Sequence, residues 1–438
     1  MKRFLLLLIP LISLADTVKD REGSVRADKE SMAENDRWIY NDVDAAFAKA
    51  KTEKKPVLVV LRCVPCLACV GIDGEITNSP ELTPLLDQFV CLRLIDTNSL
   101  DLSRFQFDYD LSLSALILNA DGTTYGRFGS WKHQKDPAQK SIKGFKASLT
   151  AALSLHKFYP KNKASLKGKQ PRPLSYKTPL EIPQIAKNQR NFKPDLDWQG
   201  KVVPSCVHCH QIGDGLKAVY RDQKKPLPLR LSHPMPEPET VGIVFHDSKP
   251  TTIAKILPDS PAAKARLQPG DEILLVDGDT PISTADFSWT LHHLRDQDQL
   301  PLLITRKDIL RPATLILPNN WRLKSDISRR VGTWPMRAWI GGGMKLESLS
   351  DKDRNRLKLK KDQLALRAVH VGQYNNHAAA KRAGFLKGDI LIEVDGLKKN
   401  LSESQLFGTL LKRHPKPTKL DCQIIRKGKT INLKFPIQ

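Results

Sequence analysis

A stretch of 20 residues occurs twice in the second half of the chain, at 259–278 and 377–396, and it leaves little freedom of fold. Each copy opens on an alanine-rich run that suits a short helix, Ala262-Ala263 in one and Ala378-Ala379-Ala380 in the other. Gly270-Asp271 and Gly388-Asp389 then mark a turn, because glycine enters the left-handed region without strain. An apolar run follows, Ile273-Leu274-Leu275-Val276 or Ile390-Leu391-Ile392, with the composition of a strand. Asp277-Gly278 and Asp395-Gly396 close each copy with a hairpin-type turn. Repetition of this unit predicts two related modules.

The pattern closely resembles the core of PDZ domains, most specifically in the first copy. The resemblance implies mainly-β, barrel-like sandwiches with helices, at 238–320 and 321–438. It also implies capture of an extended peptide as an added strand, with loop amides holding the peptide's terminal carboxylate. The first carboxylate loop and edge strand are then Thr240-Val241-Gly242-Ile243-Val244-Phe245, flanked by a helix with Phe287, Trp289, Thr290, Leu291 and Leu294. The second loop is Ile340-Gly341-Gly342-Gly343-Met344-Lys345-Leu346, and Leu406 and Leu410 would line its groove. These glycines are not a phosphate loop, since no Gly-Lys-Ser/Thr follows. Trp321, Trp334 and Trp339 lie among arginines and read as packing between the modules rather than as a platform for nucleic-acid bases.

A separate folded region is expected at 38–159. A helix starts at the cap Asn41 or Asp42 and carries Ala46, Phe47 and Ala50 on one face. Pro56-Val57-Leu58-Val59-Val60-Leu61 and Phe89-Val90-Cys91-Leu92-Arg93-Leu94-Ile95 read as strands buried on both faces. Ala115-Leu116-Ile117-Leu118 turns through Asn119-Ala120-Asp121-Gly122 into Thr124-Tyr125-Gly126-Arg127-Phe128, and Ser141 to His156 closes as a helix. Cys63-Val64-Pro65-Cys66 follows the first strand directly.

This order resembles the thioredoxin-like α/β fold. The resemblance implies Cys63 as nucleophile, its pKa lowered at a helix N-terminus, and Cys66 as the resolving thiol. Two positions depart from that pattern. Arg62 replaces the usual aromatic, and Ser114 stands where the family's cis-proline would fall. Cys69 repeats the interval of three and shares a helix face with Cys63 and Cys66, so redox exchange with an accessory thiol, a structural disulfide and a soft-metal site are all open. Cys91 and Cys422 read as small buried hydrophobes.

Cys206-Val207-His208-Cys209-His210 is the third chemical signal. Its spacing matches c-type haem attachment, with thioether bonds at Cys206 and Cys209 and His210 as axial ligand to the iron. A disulfide or free dithiol and half of a zinc site are the competing readings. For haem, the nearest sixth ligands are Met235 and His233. The surrounding segment, 160–237, is basic and punctuated by Pro171, Pro173, Pro179, Pro183 and Pro194. It reads as a linker, or as an arm laid over a neighbour.

Met1-Lys2-Arg3, the apolar run 4–14 and Ser13-Leu14-Ala15 form a signal peptide over 1–15, so a periplasmic, extracellular or cell-envelope location is expected. No segment is long enough for a transmembrane span. The net charge of +23 is spread along the chain and reads as a solvated surface; no nucleic-acid-binding motif accompanies it. No Gly-x-Ser-x-Gly occurs, so a serine protease is not expected. The function expected is a peptide-binding scaffold with a redox, haem or metal site, or a thiol–disulfide oxidoreductase using Cys63 and Cys66. A single covalent haem c is the one cofactor expected.

Overall fold

The computed structural model describes residues 20–63, 79–111, 113–129, 142–188 and 190–438. The expected signal peptide, Cys66 and Cys69 lie outside these residues. Helix α1 (Arg21–Ala33) is followed by β1 (Trp38–Tyr40), α2 (Val43–Glu53), β2 (Val57–Arg62), β3 (Val90–Leu94), β4 (Leu113–Leu118), β5 (Thr124–Phe128) and α3 (Ile142–Phe158). The five strands form one sheet in the order β1-β3-β2-β4-β5, with β1, β3 and β2 parallel and β4 and β5 antiparallel.

Burial on both faces explains the continuous apolar runs. Leu58 and Val60 face Phe145, Leu149 and Ala152 of α3. Val57, Val59 and Leu61 face Phe47 and Ala50 of α2 and also Ile182, Ile185 and Ile212 of the proline-rich segment. Each such buried aliphatic side chain contributes about 1.5–3 kcal/mol. The segment is therefore an arm that supplies part of one core layer. Arg93 is the polar exception in β3, and it is paired with Asp28 of α1, whose other partner is the Tyr40 hydroxyl. The cap of α2 is Asp42, which accepts from the Ala45 amide. Asn41 has a different task, accepting from the amides of Ile95 and Asp96 at 2.8 and 3.1 Å.

The arm contains α4 (Cys209–Asp222), and the first repeat module follows: β6 (Ile243–Phe245), β7 (Ile253–Ile256), β8 (Glu272–Val276), α5 (Thr284–His293), β9 (Asp298–Arg306) and β10 (Ile309–Leu317). After α6 (Thr333–Trp339), the second module runs β11 (Met344–Ser348), β12 (Leu366–Val371), β13 (Ile390–Val394), α7 (Glu403–Arg413), β14 (Thr418–Arg426) and β15 (Lys429–Ile437). The repeated turn carries the same chemistry twice. Asp271 accepts from the Gln268 amide and from Arg306 Nε at 2.6 Å; Asp389 accepts from the Leu386 amide and from Arg426 Nε at 2.7 Å. Each aspartate is buried, so a bidentate guanidinium is what its charge requires.

The expected role of the tryptophans holds only in part. Trp321 is buried in the first module and Trp339 packs on the second, but Trp334 is 44% exposed. The main junction is polar. Arg330 donates to Asp108 at 2.8 Å, to Asp110 at 3.2 Å and to the Met235 carbonyl at 3.0 Å. Lys217 of α4 adds a second cation, and the Gly332 amide donates to Asp110. Burial opposes the charge of both carboxylates. Lys217 and Arg330 outweigh it at Asp110 and hold that group below its usual range, while Asp108 is pushed up. Arg330→Met should therefore destabilise the protein by about 3–5 kcal/mol, because it strands buried carboxylates. Denaturant unfolding checks this, and a loss below about 1 kcal/mol would contradict it.

Candidate functional site

Cys63 leaves the C-terminal end of β2, beside the 95–98 loop that follows β3. The arm is fastened to that loop through its backbone. The Val207 amide donates to Asn98 Oδ1 at 2.7 Å, and Asn98 Nδ2 donates to the carbonyls of Ser205 and Lys193 at 2.8 and 2.7 Å. Thr97 Oγ1 donates to the Val207 carbonyl. From the other side, Glu22 of α1 accepts the amides of Val202 and Val203 at 3.1 and 2.9 Å.

The result brings two distant motifs together. His208 Nδ1 lies 3.3 Å from Cys63 Sγ, a separation of 145 positions in sequence. Cys63, Cys206, His208 and Cys209 line one cavity of about 10 Å³, with Val25, Ile95 and Thr97 around them. Sequence reasoning treated the motifs separately and gave His208 no role. Two partnered signals, a cysteine pair after a buried strand and a second pair in an otherwise irregular arm, could have suggested their meeting.

Burial, with His210 and Arg21 adding to it, lowers the His208 pKa from 6.5 to about 4. The ring is therefore neutral near pH 7 and too weak a base to hold the Cys63 proton, but with Nδ1 protonated it can donate a hydrogen bond that stabilises the Cys63 thiolate. Burial also pushes the Cys206 thiol far up, and the neighbouring charge of Cys63 and then Asp96 push it further. Cys91 and Cys422 are buried, at 1% and 3% exposure. Ser114 sits opposite Leu61 in β4, and its buried hydroxyl finds no hydrogen-bond partner.

The residues do not fit a covalent haem. The cavity lined by the two thiols holds no more than about one water, and Cys209 is 5% exposed within the core. His210 turns elsewhere, bonding Asp214 at 3.2 Å beside a cleft of about 790 Å³. Met235 and His233 do not line that cleft. His233 is fully buried, with Nδ1 against Ser232 Oγ and Nε2 against the Ser404 carbonyl. Among the described residues, no cluster of three or more metal-ligating side chains forms. Protein exported from a host that matures c-type haem should accordingly lack a covalently retained Soret band; a band lost in Cys206→Ala would contradict this.

The two repeat modules differ at their grooves. In the first, Val241, Ile243 and Leu291 are core residues, Val244 is half-buried, and β6 pairs with β7 alone among the described strands. Gly242 has φ of +93°, and a Cβ there would lie 2.0 Å from Ser260 Oγ, so glycine is required. Trp289 does not face this groove. It lies under Arg127 and donates to the Gly168 carbonyl at 2.9 Å, joining α5 to the thioredoxin-like unit. In the second module the expected carboxylate loop is occupied by its own chain. The Gly343 amide donates to the Arg337 carbonyl at 2.7 Å and the Met344 amide to Gly341 at 3.1 Å, while Gly342 accepts from the Ala380 amide. The Leu346 amide donates to Glu403, itself paired with Arg337. Gly342, Gly343 and Met344 are thus engaged internally, because a buried ion pair closes this groove.

A family described as thioredoxin-like matches residues 38–120, and the PDZ domain family matches residues 240–317. A protein of Pseudomonas savastanoi pv. phaseolicola named as a probable periplasmic serine endoprotease, DegP-like, is 26% identical over 188 residues, covering 42% of this chain and 37% of its own. A Pseudomonas putida protein of the same description is 26% identical over 194 residues, with the same coverage. The chain thus spans little more than a third of the length of these relatives. A solved HtrA-type protease with decapeptide is 15% identical at a TM-score of 0.22, covering 39% of this chain and 49% of that one, too low to bear on the fold. The chain carries a thioredoxin-like domain at 38–120 and a PDZ domain at 240–317.

Proposed function

We propose that this is an exported scaffold that docks an extended peptide segment on its PDZ domain and performs thiol–disulfide exchange on the docked partner at Cys63. The scaffold half rests on the PDZ domain and on the open edge of β6 beside α5, the arrangement that strand addition needs. The observation that carries the chemical half is the 3.3 Å approach of His208 Nδ1 to Cys63 Sγ. Cys63 gives its proton to solvent, the neutral imidazole donates a hydrogen bond to the thiolate, and the thiolate attacks one sulfur of a partner disulfide. A new disulfide forms at Cys63, and the displaced partner thiolate takes up the proton.

The second module is proposed as a PDZ-like unit with a closed groove, serving as structure rather than as a second binding site. Its repeated Asp389–Arg426 turn supports this, as does an aligned length in the DegP-like relatives well beyond the 240–317 match. Export is supported by the periplasmic description of those relatives; among the described residues no helix is long and apolar enough to cross a membrane. The protease activity named for the relatives is not proposed here.

Insulin reduction tests the chemical half. The full-length protein should reduce insulin with dithiothreitol as donor, and Cys63→Ser should lose about tenfold or more of the rate. Equal rates in both proteins, or none above the reductant alone, would leave a scaffold without this chemistry.

A further inference from the structure

We infer that Cys206 of the arm is a resolving cysteine for Cys63, so that these two thiols operate as one redox site. The inference rests on the exchange reading above and adds to it the group that completes the cycle. Cys63 and Cys206 line the same small cavity, and Asn98 and Thr97 hold the backbone on the C-terminal side of Cys206 against the strand end that presents Cys63. Cys206 Sγ points to the Ile95 carbonyl at 3.9 Å, within the same wall, and the thiol is unbridged. A charge on Cys63 opposes ionisation of the Cys206 thiol, which is an electrostatic sign of that proximity.

The cycle balances. The Cys63 thiolate attacks a disulfide R–S–S–R′, a Cys63–S–R bond forms, and R′S⁻ leaves and takes up the proton that Cys63 released to solvent. Cys206 then attacks the Cys63 sulfur. The Cys63–Cys206 disulfide forms, and RS⁻ leaves and takes the Cys206 proton. Two protein thiols lose two electrons and two protons, and the partner disulfide gains them as two thiols. The product disulfide would staple the arm to the thioredoxin-like domain, so the oxidised form holds the site closed.

The test uses full-length protein exposed to oxidised glutathione, quenched with an alkylating agent and mapped by peptide mass spectrometry. Wild type and Cys66→Ser should both yield the Cys63–Cys206 cross-link. Cys206→Ser should instead accumulate the Cys63–glutathione adduct, about tenfold over wild type. Cys206→Ala serves as a second variant, and thermal unfolding confirms that both are folded. An adduct that persists in Cys66→Ser but resolves in Cys206→Ser would overturn the inference and leave exchange at Cys63 intact. Absence of any adduct or cross-link at Cys63 in every protein would overturn both.

Discussion

Asn98 holds the functional half of this molecule in register. The residue is fully buried, and its amide group binds three backbone groups of the arm, around Lys193, Ser205 and Val207. An irregular segment laid over a sheet brings polar backbone into a core, and each such group must be satisfied or it costs about 1–3 kcal/mol. Side chains of the thioredoxin-like unit meet that demand repeatedly. Gln106 exchanges hydrogen bonds with the Arg172 backbone, and Thr97 and Asn98 do the same at Val207. This fastening, more than any one apolar contact, is what sets His208 and Cys206 beside Cys63.

The arm also accounts for what the thioredoxin-like domain lacks. Ser114 takes the strand position where the family's proline would shape a substrate groove, and it is enclosed in regular pairing. The segment 202–209 lies beside the end of β2, so Cys63 shares its cavity with the arm's own Cys206 and Cys209. The PDZ domain is joined to the same body through Trp289 and through Lys169, whose ammonium pairs with buried Asp286 at 2.9 Å. The PDZ domain and the Cys63 end of the sheet thus belong to one packed body.

Much of the scaffold was legible in the sequence, for physical reasons that can be named. β2 and β3 are buried on both faces, so their apolar runs are uninterrupted except for Arg93, which needs Asp28. The Gly-Asp turns showed because each aspartate must stay in place to receive its arginine. The arm was not legible as a layer. Its short helical turns have no lasting period, and the partners that satisfy its backbone lie about a hundred positions away. Helix α1 was missed for the opposite reason: it is mostly polar, and only Val25 and Met32 are buried. The closed second groove depends on Arg337 and Glu403, 66 positions apart, meeting in the buried interior.

The central claim is that an imidazole from the arm governs the reactivity of Cys63. The direct measurement is the rate of Cys63 alkylation by iodoacetamide near pH 7, followed by peptide mass spectrometry in wild type and in His208→Asn. If the neutral His208 ring stabilises the Cys63 thiolate, the variant should react about tenfold more slowly at Cys63, with buried Cys91 and Cys422 unaffected in both. Equal rates at Cys63 in the two proteins would show that the contact is packing alone.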